Sequence, residues 1–156
     1  MLEISATQNR FTFKLWDWNR LDLNGKPRPI SLKHGKNVIN EKVDYDFAKE
    51  ELINDFSVIK NDKYILEEKT GLHELEDIET RRITISKEFI QKTNNSVNVI
   101  NLVEGSSAII SSVNNEFEDY IVYYGETVII PENIKEYILI PGENEKKVIF
   151  IKAYIR

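Results

Sequence analysis

Residues 123–140 read YYGETVIIPENIKEYILI, and this stretch decides the fold of the chain. Gly125 and Pro131 enclose a short run of valine, isoleucine and threonine, and a second run of isoleucine, leucine and tyrosine follows the turn that begins at Pro131. β-Branched and aromatic residues favour strands, whereas glycine and proline mark the turns between strands. The stretch therefore predicts two short β-strands joined by a proline-led turn.

Runs of the same kind continue on both sides of this stretch. Turn-forming residues divide the chain after Phe56 into short segments rich in valine, isoleucine and tyrosine, which recur about every 8 to 14 residues. A hairpin is predicted at Lys60–Lys63, and the segments 79–86, 96–105, 107–113 and 146–156 are predicted as further strands. Such spacing is typical of an antiparallel sandwich or barrel.

The region before these strands has a weaker pattern that indicates helix. Ser31 precedes a run predicted as one short helix, and Asp44 or Asp46 is the predicted N-cap of a second. We therefore predict a mainly β fold, an antiparallel jelly roll or β-sandwich with one or two short helices in the N-terminal third.

Composition excludes several classes of function. The chain of 156 residues is long enough for one domain with a hydrophobic core. Its 26 acidic residues outnumber 21 basic ones, whereas a nucleic-acid-binding surface needs positive charge. Neither a membrane span nor a secretory leader is predicted. Cysteine is absent, which excludes disulfides and thiolate metal ligands and is compatible with the cytoplasmic location that we expect.

The spacing of Gly125 and Pro131 resembles the second half-motif of the cupin jelly rolls. In cupins the turn continues as Pro-x-Gly-x-x-His, and the histidine binds metal. This chain has Asn133 at the glycine position and Glu136 at the histidine position. The segment VNVINLVEGSSAII (97–110) resembles the first half-motif but contains no histidine. The resemblance implies a cupin-like domain without metal-binding histidines.

A second resemblance covers nearly the whole chain. The segments FTFKLWDWNRLDLNGKPRPI (11–30), HELEDIETRRI (73–83), NLVEG (101–105), GETVIIP (125–131) and IKAYIR (151–156) resemble the C-terminal part of class I mannose-6-phosphate isomerases, in particular the long bacterial members. By this resemblance, residues 1–70 correspond to the last strand of the catalytic core with a turn and a helical spacer. Residues 71–156 correspond to a C-terminal cupin-like β domain.

The same resemblance implies where the chemistry of such an enzyme lies. Family members hold zinc with histidine, glutamine and glutamate side chains of an upstream catalytic cupin, and those residues are absent from this chain. We therefore expect no cofactor here and zinc only in the intact family enzyme. Lys14 stands where the family usually has a catalytic arginine, which implies that Lys14 faces a sugar-phosphate pocket and supplies a positive charge.

Residues near Lys14 are candidates for substrate binding. Residues 11–18 alternate as in a strand, which places Leu15 on a core face and Trp16 and Trp18 with Lys14 on the other. The two tryptophans are candidates for stacking on a sugar ring, although an anchoring role in the core is the interpretation that we favour. Arg20 and Arg28, together with Lys26, are candidates for phosphate binding, and the alternative is a solvated turn.

The only histidines of the chain are His34 and His73, so a metal site rich in imidazole ligands is not expected. His73 lies near Glu74, Glu76 and Glu79, and we favour a charged loop over a metal site for this segment. His34 is predicted as a surface or capping residue. Arg81 and Arg82 are predicted to form ion pairs across strands.

Two classes of function remain open. The first is the C-terminal domain of a mannose-6-phosphate isomerase-like protein, inactive alone, whose parent interconverts mannose 6-phosphate and fructose 6-phosphate. The alternative is a non-enzymatic cupin-like module that binds carbohydrate, forms a homodimer or docks on a catalytic cupin domain. An enzyme that uses His34 and His73 as metal ligands is a remote third possibility. The candidate partners are thus a sugar phosphate or another cupin domain, with no nucleic acid and no membrane.

Overall fold

The computed structural model describes residues 14–52, 56–70 and 77–156. Of the predicted strand at 11–18, residues 11–13 lie outside the described residues, as do His73, Glu74 and Glu76. In the described part of the chain no helix is long and apolar enough to cross a membrane.

The molecule consists mainly of two antiparallel sheets, and the strands lie between the turn residues that the sequence indicates. The strands are β1 (Ser57–Asn61), β2 (Ile65–Lys69), β3 (Ile78–Ile85), β4 (Phe89–Lys92), β5 (Asn98–Glu104), β6 (Ser107–Ser112), β7 (Tyr120–Tyr123), β8 (Thr127–Ile130), β9 (Glu136–Pro141) and β10 (Val148–Ile155). Six of them form a large sheet in the order β1-β2-β3-β10-β5-β8, and the other four form a small sheet in the order β4-β9-β6-β7.

The core lies between the two sheets because each strand alternates inward and outward side chains. On β10, Val148 and Phe150 are fully buried, and on β9 Tyr137 and Leu139 are fully buried. Thirteen buried side chains form this apolar core. They are Ile83, Ile85, Ile100, Leu102, Ala108, Ile110, Val122, Ile130, Ile134, Tyr137, Leu139, Val148 and Phe150.

The two predicted helices are present and short. Helix α1 (Leu32–Val38) begins after Ser31, as predicted. Helix α2 (Tyr45–Phe47) begins after Asp44, whose side chain accepts a hydrogen bond from the backbone N–H of Phe47. A π-helical turn (Ala48–Leu52) continues it. The prediction of a mainly β jelly roll or sandwich with short N-terminal helices is therefore confirmed.

The predicted strand at 11–18 is wrong in its described part. Residues 14–18 have no strand partner, and Trp18 and Asn19 adopt left-handed backbone angles with φ of 49° and 53°. Consecutive left-handed residues reverse the chain direction and cannot continue a pleated strand. Leu15 accordingly packs against Gly35 of α1 and not between the sheets.

The hairpin predicted at Lys60–Lys63 joins β1 to β2. Asp62 stabilises this turn, because its side chain accepts hydrogen bonds from the backbone N–H groups of Tyr64 and Ile65. Strand β2 then pairs with β3, and the paired residues lie on opposite sides of position 70. The division of the chain at residue 70 stays a prediction, and the large sheet extends across it.

Candidate functional site

The front loop, residues 14–30, carries the predicted site residues and has a defined structure. Leu21 and Pro27 form an isolated β-bridge that closes a tight turn. The side chain of Asp22 accepts hydrogen bonds from the backbone N–H groups of Asn24 and Lys26, and these bonds lower its pKa. The turn residues at 22–26 therefore hold the two arms of the loop together.

A bidentate ion pair ties the two arms of the front loop. The Nε and Nη2 atoms of Arg28 donate to the two carboxylate oxygens of Asp17 at 2.6 Å and 2.7 Å. Asp17 is only 6% exposed. The hydrogen bond from Arg28 lowers the pKa of Asp17 and raises the pKa of Arg28. This paired geometry fixes the loop, because both groups of a fork-to-carboxylate contact are oriented.

Two further cations border this ion pair. The Nζ atom of Lys14 lies 3.9 Å from Oδ1 of Asp17, and the Lys14 side chain is 40% exposed. The guanidinium of Arg20 lies 5.6 Å from the ring centroid of Trp18. Lys14 and Arg20 thus present positive charge at the loop surface, although Lys14 also forms a long ion pair with Asp17, whereas Arg28 is bound closely by both oxygens of Asp17.

The tryptophans of the front loop are on the surface. Trp16 is 62% exposed and Trp18 is 71% exposed, so the interpretation of these residues as core anchors is wrong. The physical reason is the chain reversal at Trp18 and Asn19, which turns this segment away from a strand. The loop therefore combines two exposed indoles with two cations, of which Arg20 lies over the Trp18 ring, and this is a surface chemistry suited to a polar ring carrying negative charge.

A second polar region, here called the inner cluster, consists of Glu67, Glu79, Arg81, Lys152 and Tyr154. Arg81 contacts Glu79 at 2.5 Å and Glu67 at 3.0 Å, and it donates to the Tyr154 hydroxyl at 3.0 Å. Tyr154 in turn donates to Glu79 at 3.0 Å. Burial favours a raised pKa for Glu79, but the hydrogen bonds from Arg81 and Tyr154 outweigh it and lower that pKa.

Lys152 is the most unusual member of the inner cluster because it is only 2% exposed. Its Nζ atom donates to Oε1 of Gln91 at 3.0 Å and to the carbonyl of Lys92 at 2.7 Å. Burial lowers the pKa of Lys152 to about 8, and the carboxylates of Glu67 and Glu79 partly offset the effect of burial. A buried amine with this pKa changes charge around pH 8, well below the ordinary range of lysine.

The inner cluster was not predicted as a site, although its signal is present in the sequence. Lys152 follows Val148 and Phe150 at even spacing, and Arg81 precedes Ile83 and Ile85 in the same way. A charged residue in register with core positions points inward. The predicted cross-strand ion pairs are confirmed, since Arg81 contacts Glu67 and Arg82 contacts Glu68 at 2.8 Å.

The interior does not suit a zinc ion at the position that the cupin resemblance indicates. Glu136 is partly exposed on β9 and lies 3.7 Å from Nζ of Lys92. The adjacent residue, Tyr137, faces the core and donates to Oδ1 of Asn98 at 3.1 Å. Within the described residues, no group of three or more histidine, aspartate or glutamate side chains is placed to hold a metal. The interpretation of His73 as part of a charged loop lies outside the described residues.

The two-sheet architecture defines the class of fold as a cupin-like jelly roll. Solved structures that share this fold include the following three. The mannose 6-phosphate isomerase from Bacillus subtilis matches 90% of this chain and 39% of its own length, with 20% identity and a TM-score of 0.63. Hydroxypropylphosphonic acid epoxidase from S. wedmorenis matches 66% of this chain and 56% of its own, with 8% identity and a TM-score of 0.54. Ectoine synthase from P. lautus matches 62% of this chain and 67% of its own length, with 13% identity and a TM-score of 0.50.

These similarities establish the fold alone. No family model matches the chain, and no curated protein matches it. The chain spans about two-fifths of the length of the Bacillus subtilis isomerase. The activity of that enzyme is therefore a basis for a proposal and not an attribute of this chain.

Proposed function

We propose that this chain is the C-terminal, sugar-phosphate-contacting part of a mannose-6-phosphate isomerase-like protein, and that it is inactive alone. The observation that carries the proposal is the surface of the front loop, where Trp16 and Trp18 are exposed beside the cations of Lys14 and Arg20. The structural match to the Bacillus subtilis isomerase over 90% of the chain supports it.

Different residues of the front loop contact different parts of such a ligand. Aromatic faces pack against the C–H surface of a sugar ring, and an exposed indole is available for this contact on Trp16 and on Trp18. Lys14 provides a mobile point charge for a phosphate or for the oxygen of a developing enediolate. Arg28 acts as a positioning residue, because its guanidinium is held by Asp17.

Metal chemistry is not part of the role that we propose for this chain, because its described interior does not fit zinc. Isomerisation moves a proton between C1 and C2 of the sugar, and in the parent family zinc supplies polarisation of the substrate oxygens. Under the proposal this chain contributes one wall and one cation to that reaction. Its own residues bind the ligand and orient it.

Calorimetry with three probes tests the proposal. We expect mannose 6-phosphate to bind more tightly than mannose and more tightly than inorganic phosphate, because only mannose 6-phosphate engages both the indoles and the cations. Trp16→Ala and Lys14→Ala should each weaken this binding about tenfold, equivalent to roughly 1.4 kcal/mol. Lys146→Ala is the matched control, since Lys146 is an exposed lysine in the β9–β10 turn. Equal affinity for all three probes would contradict the proposal.

The inactive state is tested separately. Purified chain with added zinc should not interconvert mannose 6-phosphate and fructose 6-phosphate in a coupled assay. Sustained turnover that scales with the concentration of the chain would show that a complete active site lies within it.

The alternative is a non-enzymatic module that forms a homodimer, and the outer face of the small sheet favours it. That face carries isoleucines on all four strands, and Ile90 and Ile121 are 53% and 51% exposed. Lys92 and Glu136 form an ion pair at the margin of this face. Because their opposite charges offset each other, two copies of the face meet without like-charge repulsion. Sedimentation should then show a dimer that Ile121→Lys converts to a monomer, and a monomer at all concentrations would exclude it.

A further inference from the structure

A cavity of about 400 Å³ opens between β7 and β8, the edge strands of the two sheets among the described residues, and neither the front loop nor the inner cluster contributes to it. Its floor consists of core side chains, among them Ile110, Ile130 and Ile134. Phe117 and Tyr120 form an aromatic wall. The volume lies in the range of small-molecule sites, which are mostly apolar with a few polar groups at their margins.

The rim of this edge cavity is acidic. Glu116 and Glu118 both line it, and the segment 114–120 contains no lysine or arginine. Both glutamate side chains are exposed, and within the described residues neither has an ion-pair partner. Lys135, near the floor residue Ile134, is paired with Glu132. The mouth of the cavity therefore carries two uncompensated negative charges next to two aromatic rings.

The loop that carries these residues is held in place before any ligand binds. The hydroxyl of Ser111 donates to Asp119 at 2.6 Å, and the hydroxyl of Ser112 accepts from the backbone N–H of Glu116 at 2.8 Å. Phe117 between them packs partly against the core. A wall that is ordered in advance lowers the entropy cost of binding.

We propose that the edge cavity binds a small organic cation, an alkyl- or arylammonium whose apolar body enters the cavity while its charged group stays at the mouth. The apolar floor accounts for the body. The faces of Phe117 and Tyr120 and the carboxylates of Glu116 and Glu118 account for the charge, because aromatic rings and carboxylates both attract ammonium groups. This site is independent of the proposed sugar-phosphate function.

A series of equal chain length and different charge tests the proposal. Octyltrimethylammonium, octanol and octanoate are titrated against the full chain by calorimetry, below the concentrations at which they form micelles. We expect octyltrimethylammonium to bind about fivefold or more tighter than octanol, since exposed ion pairs and a cation–π contact each add modestly to binding. Octanoate should bind more weakly than octanol. Equal binding of the three probes, or tighter binding of octanoate, would overturn the proposal, as would no binding of any.

Two variants separate charge from volume. Glu116→Gln/Glu118→Gln keeps the shape of the exposed rim and should remove the preference for octyltrimethylammonium over octanol while leaving octanol affinity unchanged. Val128→Trp fills the cavity and should abolish binding of all probes, with circular dichroism used to confirm that it folds. Glu88→Gln is the matched control, because Glu88 is an exposed glutamate that does not line the cavity. A preference that persists in the double variant would show that the rim charges do not select the ligand.

Discussion

Lys152 shows how one residue couples burial to charge. Its ammonium is buried and donates to Gln91 and to the carbonyl of Lys92, yet burial still lowers its pKa to about 8. A lysine in the unfolded chain keeps its proton to a much higher pH, with an ordinary pKa of 10.5. The folded and unfolded states therefore bind different numbers of protons in the window between these two pKa values.

The consequence is a specific dependence of stability on pH. Between about pH 8 and pH 10.5 the unfolded state binds more protons at this site, so the contribution of Lys152 to the free energy of unfolding rises with pH, by at most roughly 1.4 kcal/mol per pH unit. We expect denaturant unfolding of the wild type to show this rise relative to Lys152→Met. The raised pKa of Tyr154 makes the free energy of unfolding fall with pH near pH 10. Because both proteins contain Tyr154, this effect is common to them. A difference between them that is flat from pH 8 to 10 would exclude a lowered Lys152 pKa.

Among the elements, the turn between β5 and β6 combines a positive φ with close packing at a glycine. Gly105 has φ of +103°, and a Cβ atom there would lie 2.6 Å from Cγ1 of Val148. Gly125 has a comparable φ of +81° at the β7–β8 turn, but a Cβ atom there would meet nothing within 4 Å. The two glycines thus share a backbone conformation that L residues rarely adopt, and they differ in packing.

This pair allows a controlled substitution. Gly105→Ala should reduce the free energy of unfolding by about 2 to 4 kcal/mol, because it adds a clash with a core residue to the cost of a left-handed alanine. Gly125→Ala should cost about 1 to 2 kcal/mol, which is the backbone cost alone. Denaturant titration of both variants measures the difference. Equal losses would mean that Val148 moves aside freely and that the close packing at Gly105 has no energetic weight.

The strands were predictable because their signals are local. Alternation and turn residues placed β3, β5, β6, β8, β9 and β10, and the start signals at Ser31 and Asp44 placed both helices, although only the side chain of Asp44 forms a capping hydrogen bond. The structure of the segment that ends at Trp18 was not predictable, because its alternation also fits a strand. The reversal of the chain direction there depends on left-handed backbone angles at Trp18 and Asn19. The Asp17–Arg28 pair that holds this reversal joins residues 11 positions apart. Neither alternation nor local propensity reports such a contact.

For the molecule as a whole, the two-sheet architecture separates three regions with different chemistry. The core between the sheets is apolar at the level of Val148 and Phe150 and becomes polar at Lys152 and Tyr154, further along the same strand. The edge cavity lies beside β7 and β8, which are the end strands of the two sheets in the described part of the chain. The front loop carries its cations and indoles outside the strands. A cupin-like fold is compatible with many activities, so the function has to be decided at these sites.

The most direct test of the sugar-phosphate proposal is a nuclear magnetic resonance titration of the isotope-labelled chain with mannose 6-phosphate. We expect saturable shifts of the front-loop backbone amides and of the indole N–H signals of Trp16 and Trp18, with the signals of the edge cavity and of β10 unchanged. Mannose at the same millimolar concentrations should cause smaller shifts. Unchanged indole signals, or shifts confined to residues outside 14–28, would contradict the account.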